Sequence, residues 1–235
     1  MPERFYASNL ALGPTVCLEG EEAHHLARVR RIRVGESVQL FDGSGMECRC
    51  SVREIHRESV VLDIESHDWI SRELPFSLTL ACAVAKGDRL RWLVEKATEL
   101  GVVSFVPIIT ERSRDRAQHL RPDRTARWII EASKQCGRNV LMRVEEPVVW
   151  TDYVASLAAT GPKVIADPRG IPVSQLCRDG RSEAVFAAVG PEGGFTDAEL
   201  RSARDRGWTS VCLGSRILRV ETAALVLVTH LAQEE

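Results

Sequence analysis

The sequence lacks the long hydrophobic run that a membrane span needs. Nowhere in its 235 residues does an apolar stretch reach the roughly 18 residues required to cross a bilayer. The N-terminus, MPERFYASNL, has no apolar core of the kind that marks a secretory signal. We therefore expect a cytoplasmic protein.

Paired metal-binding cysteines and phosphate-binding loops are also missing. None of the seven cysteines forms a CxxC pair, and the Cys48-Arg49-Cys50 spacing is far from zinc-site patterns, so we expect reduced, buried thiols and no metal. The chain contains neither GxGxxG with its acidic partner nor a Walker loop ending in Gly-Lys-Ser/Thr. Dinucleotides and nucleoside triphosphates are therefore poor candidate ligands.

The net charge of −2 hides a local excess of positive charge. Residues 86–143 contain thirteen Lys or Arg against seven Asp or Glu, whereas residues 1–70 contain eight against twelve. Basic groups in close succession can contact phosphates, but a solvated surface is the more ordinary interpretation, and composition leaves both open. The acidic segment itself contains one such group: Arg28, Arg30, Arg31 and Arg33.

The chain divides into two parts that differ in the pattern of their apolar residues. Up to about residue 70, short alternating apolar pieces are separated by turn residues, which predicts a small antiparallel barrel or sheet interrupted by one helix. From about residue 76, longer apolar strands alternate with amphipathic helices, which predicts a parallel sheet covered by helices on both sides. The boundary falls in DWISRELPF, so we predict domains at 1–70 and 71–235.

Three late predicted strands end in unusual loops. They are VIADPRG, which contains Asp167; AAVGPEGGFTDAEL; and CLGSRILRVETAAL. Ligands of open α/β sheets bind beyond the carboxyl ends of the strands, so these loops would border one crevice if their strands are neighbours.

The second and third loops each have a purely structural alternative. In the second, glycines allow a ligand to approach the backbone, and Thr196 with Glu199 predicts a capping box; a stiff turn explains the same residues. In the third, Ile217 and Leu218 would enclose a flat ring. Arg219 and Glu221 would then act on a polar substrate, or form only a local ion pair.

The two late motifs, AVGPEGGFTDAEL and LGSRILRVETAAL, carry a family resemblance. Together they resemble the SPOUT class of methyltransferases, and closely the 16S ribosomal RNA uridine-N3 methyltransferase family. The resemblance extends to EEAHHLARVRRIRVGESVQLFDG, KGDRLRWLVEKATELGVVSFVPIITERS and RWIIEASKQCGRN.

The resemblance implies an α/β fold with a trefoil knot, which is an exception to the rule against threaded chains. It further implies a PUA-like RNA-binding β-barrel at the N-terminus, S-adenosylmethionine as cofactor, and a homodimer in which both subunits contribute to each site. The substrate would be 16S ribosomal RNA, within the small ribosomal subunit.

The resemblance also implies roles for individual residues. Arg219 would be the cation beside the uracil oxygens, and Glu221 or Glu192 the base that removes the N3 proton. The implied RNA-binding residues are Arg28, Arg30, Arg31, Arg33, Arg112 and Arg114. The implied cofactor-binding residues are Asp167, Gly190, Glu192, Gly193, Gly194, Leu213, Gly214, Ile217 and Leu218.

Two other functions fit the same residues. A related SPOUT enzyme would methylate a different nucleotide or a ribose 2′-hydroxyl, which has no ring N–H to deprotonate. A non-catalytic RNA-binding assembly factor would need no cofactor.

Overall fold

The computed structural model describes residues 3–8, 10, 13–83, 87–113, 121–158, 160–176 and 182–233. These residues form two compact units. The first contains the described residues up to Glu73 together with Ser133–Leu141, and the second contains the described residues of Leu74–Ala132 and from Met142 onward. No helix among them is long and apolar enough to span a membrane.

The first unit is a small, mostly antiparallel β domain with one helical segment. Its strands are β1 (Arg4–Tyr6), β2 (Thr15–Glu19), β3 (Ser37–Phe41), β4 (Met46–Ile55) and β5 (Ser59–Trp69). They lie in the order β1-β3-β4-β5-β2, and only the β1–β3 pair is parallel. Helix α1 (Gly20–His24) continues directly into a π-helical turn, His25–Val29.

Alternating apolar side chains give this unit a single core. In β2, for example, Val16 and Leu18 are buried between exposed neighbours. They belong to the same cluster as Phe5 of β1 and Leu26 of the π-helical turn, so the sheet curls round one core. The predicted N-terminal β domain is confirmed.

Two cysteines of β4 lie in that core. Cys48 and Cys50 are fully buried, and burial raises the pKa of their thiols to about 11 and about 12, respectively. Both thiols therefore stay protonated and unreactive at neutral pH. The cysteines of the described ranges are all free, and those ranges hold no group of three or more side chains suited to bind a metal ion.

Buried charges hold Ser133–Leu141 in the first unit. Glu47, which is 2% exposed, lies 3.0 Å from Arg4 Nη1 and 2.9 Å from Arg72 Nη1. Arg4 Nη2 also donates to Asn139 Oδ1 at 2.5 Å. The sequence prediction ended the first domain at residue 70 and did not include Ser133–Leu141 in it. The residues that hold this segment there are polar and far apart in the chain, so no local pattern indicates their contacts.

The second unit alternates strands and helices as predicted. Its elements are β6 (Ser77–Ala83), α2 (Asp88–Glu99), β7 (Val102–Ile109), α3 (Pro122–Cys136, whose residues from Ser133 onward belong to the first unit), β8 (Arg143–Val144), β9 (Val148–Val149), α4 (Trp150–Ser156), β10 (Lys163–Pro172), β11 (Ala184–Val189), α5 (Asp197–Arg204), β12 (Trp208–Cys212) and α6 (Val220–Ala232). A 3₁₀ turn, Val173–Gln175, follows β10.

Strand order places the candidate site. In the second unit, the described strands are all parallel. They lie in the order β12-β10-β11-β6-β7-β8, with β9 also pairing with β7. Helices α2 and α6 pack on each other and on the sheet. On the opposite face, Ala81 and Ala83 lie in one cluster with Trp150 and Trp208. The predicted parallel sheet with two covered faces is confirmed, whereas the trefoil knot stays a prediction.

Candidate functional site

A cavity of about 480 Å³ opens between a bulged part of β10 and the ends of β11 and β12. These three strands are neighbours, so a bulge within β10 and the loops that follow β11 and β12 lie at one edge of the sheet, and all three line the cavity. This volume is typical of sites for small molecules.

The first loop is a bulge within β10. Ala166 and Ile171 both pair with Val211, so the four residues between them project from the sheet. A Cβ atom on Gly170 would lie 2.5 Å from the backbone nitrogen of Val211, and only glycine allows this approach. Asp167 is 8% exposed; its Oδ1 accepts a 3.1 Å hydrogen bond from the backbone nitrogen of Arg169.

The second loop is a stiff turn with an open side. A Cβ on Gly190 would lie 2.8 Å from the ring of Phe195, which in turn packs 4.8 Å from Trp150 between ring centroids. The Gly194 nitrogen donates to the carbonyl of Pro191 at 2.7 Å. Nothing lies within 4 Å of the Cβ position of Gly194, so this side of the turn is open. The turn is therefore rigid and also lines the cavity.

A buried glutamate fixes the helix that follows. Thr196 and Glu199 form the capping box predicted from the sequence. Glu199 Oε2 accepts from the Thr196 nitrogen at 2.8 Å, and Oε1 accepts from the Glu111 nitrogen at 2.9 Å. One carboxylate therefore anchors both the glycine loop and the turn after β7.

The third loop combines exposed and buried side chains. Gly214 has a φ of +125°, with open space at its Cβ position. Ile217 is 80% exposed, whereas Leu218 is partly buried. Glu221, in the first turn of α6, is 7% exposed, and its Oε1 lies 3.8 Å from Nε of Arg89. Glu221 therefore pairs with Arg89 of α2, whereas the sequence suggested a local ion pair with Arg219.

All the predicted cofactor-binding residues border this one cavity: Asp167, Gly190, Glu192, Gly193, Gly194, Leu213, Gly214, Ile217 and Leu218. Glu192 was also predicted as a base. The other two predicted catalytic residues, Arg219 and Glu221, belong to the described chain but are not among the lining residues.

The predicted RNA-binding residues separate into two groups. Four arginines are exposed in the first unit, and Nε of one of them, Arg30, lies 3.1 Å from the Glu3 carboxylate. Arg112 instead lines the cavity of the second unit and donates to the carbonyl of Gly193. Arg114 lies outside the described residues. The four exposed residues are Arg28, Arg30, Arg31 and Arg33.

Sequence reasoning did not predict every polar residue of the cavity, and those it missed include Arg169, Asp197 and Arg216. Arg169 bridges Asp197 at 2.9 Å and Asp167 at 3.4 Å. Asp197 is the first residue of α5, and both it and Arg169 line the cavity. Their only sequence signal is their position next to loops already singled out, because the pairing depends on the β10 bulge.

Sequence models of two families match the chain. The model described as an RNA methyltransferase domain matches residues 72–232. The model described as an RNA methyltransferase PUA domain matches residues 18–65.

Curated relatives and solved structures cover nearly the whole chain. A ribosomal RNA small subunit methyltransferase E from Synechocystis is 32% identical over 92% of this chain and 72% of its own length. The enzyme of that name from Neisseria gonorrhoeae, solved with S-adenosylmethionine, is 33% identical with a TM-score of 0.87, covering 97% of this chain and 95% of its own. A Legionella pneumophila methyltransferase, solved with the same cofactor, is 30% identical with a TM-score of 0.87, covering 97% and 96%.

Proposed function

The chain belongs to the RNA methyltransferase family whose catalytic and PUA domains match it, and we propose that it methylates N3 of a uridine in 16S ribosomal RNA. S-adenosylmethionine is the proposed cofactor and the cytoplasm the proposed location. The observation that carries the proposal is the convergence of three loops on one cavity. Relatives matched over 91% and 72% of their own length are named as small-subunit ribosomal RNA methyltransferases, and two solved relatives bind that cofactor.

The cavity fits S-adenosylmethionine in size and chemistry. Leu213, Ile217 and Leu218 supply an apolar wall for an adenine ring. The open Cβ positions of Gly194 and Gly214 leave room for a ligand against the backbone. Once bound, this cofactor supplies an electrophilic methyl group on a sulfonium.

The chain's own contribution is to orient the uridine and accept its N3 proton. Glu192 and Glu221 remain the candidate bases. The lining of the cavity favours Glu192, whereas Glu221 is buried beside Arg89. Arg219 remains the proposed cation near the uracil oxygens, where an opposite charge stabilises the developing negative charge. Because pairing hides N3, the target base must be unpaired or flipped out.

We assign RNA binding to the N-terminal domain, predicted at residues 1–70, and methyl transfer to residues 71–235. The exposed arginines from Arg28 to Arg33 would contact RNA phosphates and so confer salt-dependent binding. A homodimer, with both subunits contributing to each site, is part of this proposal.

The proposal is tested by transfer of labelled methyl groups from S-adenosylmethionine to small-subunit particles that lack the modification. Mass spectrometry of the digested RNA should show N3-methyluridine. A ribose 2′-O-methyl product would replace the proposal with the related SPOUT activity. Calorimetry without cofactor binding, together with no transfer, would favour an assembly factor.

A further inference from the structure

The turn after β7 is unusually well fixed for a surface turn. Thr110 and Ser113 are buried and bonded to each other three times: between their hydroxyls at 2.9 Å, from the Thr110 nitrogen to the Ser113 hydroxyl at 3.0 Å, and from the Ser113 nitrogen to the Thr110 carbonyl at 3.0 Å. The Glu111 nitrogen donates to the buried Glu199 carboxylate. The backbone that carries Arg112 is therefore held in place from both sides.

The side chain of Arg112 reaches from this turn over the glycine loop. Its Nη1 donates to the carbonyl of Gly193, and its Cδ would lie 3.2 Å from a Cβ at that glycine. A guanidinium has five N–H donors in a fixed plane. One contact to a carbonyl thus orients the group and leaves donors for an acceptor inside the cavity.

Arg112 differs from the other arginines of the cavity. Arg169 is bonded to the carboxylates of Asp197 and Asp167, which offset its charge. Arg216 is an exposed side chain on the third loop. Arg112 donates to a neutral carbonyl. Its charge also helps to lower the pKa of Asp197, but less than Arg169 and Arg201 do, so the charge of Arg112 is oriented and only partly offset.

We propose that Arg112 is a catalytic residue whose guanidinium donates to a uracil carbonyl oxygen of the target base while N3 loses its proton. This inference rests on the proposed function and adds to it a cation other than Arg219. N3 gives its proton to a cavity carboxylate and forms a bond to the methyl carbon, while the electron pair of the breaking carbon–sulfur bond stays on sulfur. The negative charge that spreads onto the oxygens beside N3 is what Arg112 stabilises, and a donor fixed beforehand does so without reorganisation.

The test uses the whole protein with small-subunit particles and the variants Arg112→Gln and Arg112→Lys. Glutamine keeps a donor for Gly193 but removes the charge, whereas lysine keeps the charge. The matched control is Arg206→Gln, which removes an equal charge from an exposed position after α5, outside the cavity lining. Turnover is measured from neutral to alkaline pH, S-adenosylmethionine affinity by calorimetry, and folding by thermal melting.

We expect Arg112→Gln to lower turnover about 100-fold at neutral pH, the scale of losing one fixed donor to a developing oxyanion. The loss should shrink as pH rises, because N3 of the target uracil then loses its proton to the solvent without help. Cofactor affinity should change less than about twofold. Arg112→Lys should retain most of the turnover, and Arg206→Gln all of it. With N3-methyluridine established as the wild-type product, a pH-independent loss, or no loss, in Arg112→Gln would overturn the role of Arg112. A different methylated product would overturn the proposed function itself.

Discussion

The change Glu199→Gln tests whether one buried carboxylate supports the candidate site. Glu199 is 6% exposed and accepts backbone hydrogen bonds at both oxygens, from Glu111 at 2.9 Å and from Thr196 at 2.8 Å. Glutamine has nearly the same shape but only one acceptor oxygen. If that oxygen stays with Glu111, the amide NH₂ faces the N–H of Thr196, and a buried donor is left without a partner.

The expected loss follows from these contacts. An unpaired buried donor costs about 1–3 kcal/mol, and a bond to a charged acceptor contributes about 1.5–3 kcal/mol. We therefore expect a loss of about 3 kcal/mol in the free energy of unfolding. For a chain of this length that is a fall in melting temperature of roughly 6–12 °C. Cofactor affinity should fall as well, because the glycine loop and the turn after β7 share this anchor.

The assay is thermal and urea unfolding, with calorimetric titration of S-adenosylmethionine. The matched control is Glu111→Gln, whose side chain is exposed and whose backbone N–H still reaches Glu199. That variant should remain within about 0.5 kcal/mol of the wild type. Wild-type melting in Glu199→Gln, or an equal loss in the control, would refute the anchoring role.

Three further predictions concern other parts of the chain. Gly170→Ala should weaken cofactor binding and reduce stability by about 1–3 kcal/mol, since its Cβ would meet the β12 backbone. The control is Gly13→Ala, whose Cβ would have nothing within 4 Å. Equal melting temperatures of the two variants would contradict this prediction. Replacing Arg30 and Arg31 with glutamate should weaken RNA binding and flatten its salt dependence by roughly one unit of slope for each lost phosphate contact, while calorimetry shows unchanged cofactor affinity; equal loss of both would count against the division of labour between the domains. Burial alone would raise the pKa of the Glu47 carboxyl, but hydrogen bonds from Arg72 and Arg4 hold it below its ordinary value of 4.5. Its contribution to stability is therefore present above pH 4.5 and lost as pH falls through the lower folded value, so the stability gap between wild type and Glu47→Gln in urea titrations should close in acid; a gap that is constant with pH would contradict this.

The sequence was sufficient to predict the longer elements of the second unit and to single out the three loops that line the cavity. Period-two alternation in β3 (SVQLF) and the near-continuous apolar run of β6 follow from the burial of one or two faces, which local pattern reveals directly. The capping box of Thr196 and Glu199 is a local signal of the same kind. The glycine loop was predicted to line a binding site, and it does line the cavity.

Only the tertiary structure decided which polar groups meet. Glu199 bonds to Glu111, Arg112 lies over Gly193, and Glu47 lies beside Arg4 and Arg72. None of these contacts follows a sequence period, because the partners come from parts of the chain that are far apart in sequence and meet only through the packing of strands and loops. The sequence by itself determined most of the longer strands and helices and which loops carry unusual residues, since backbone preference and apolar periodicity act over a few neighbours. Which charges face the cavity depends on packing between distant elements, and no local pattern encodes that.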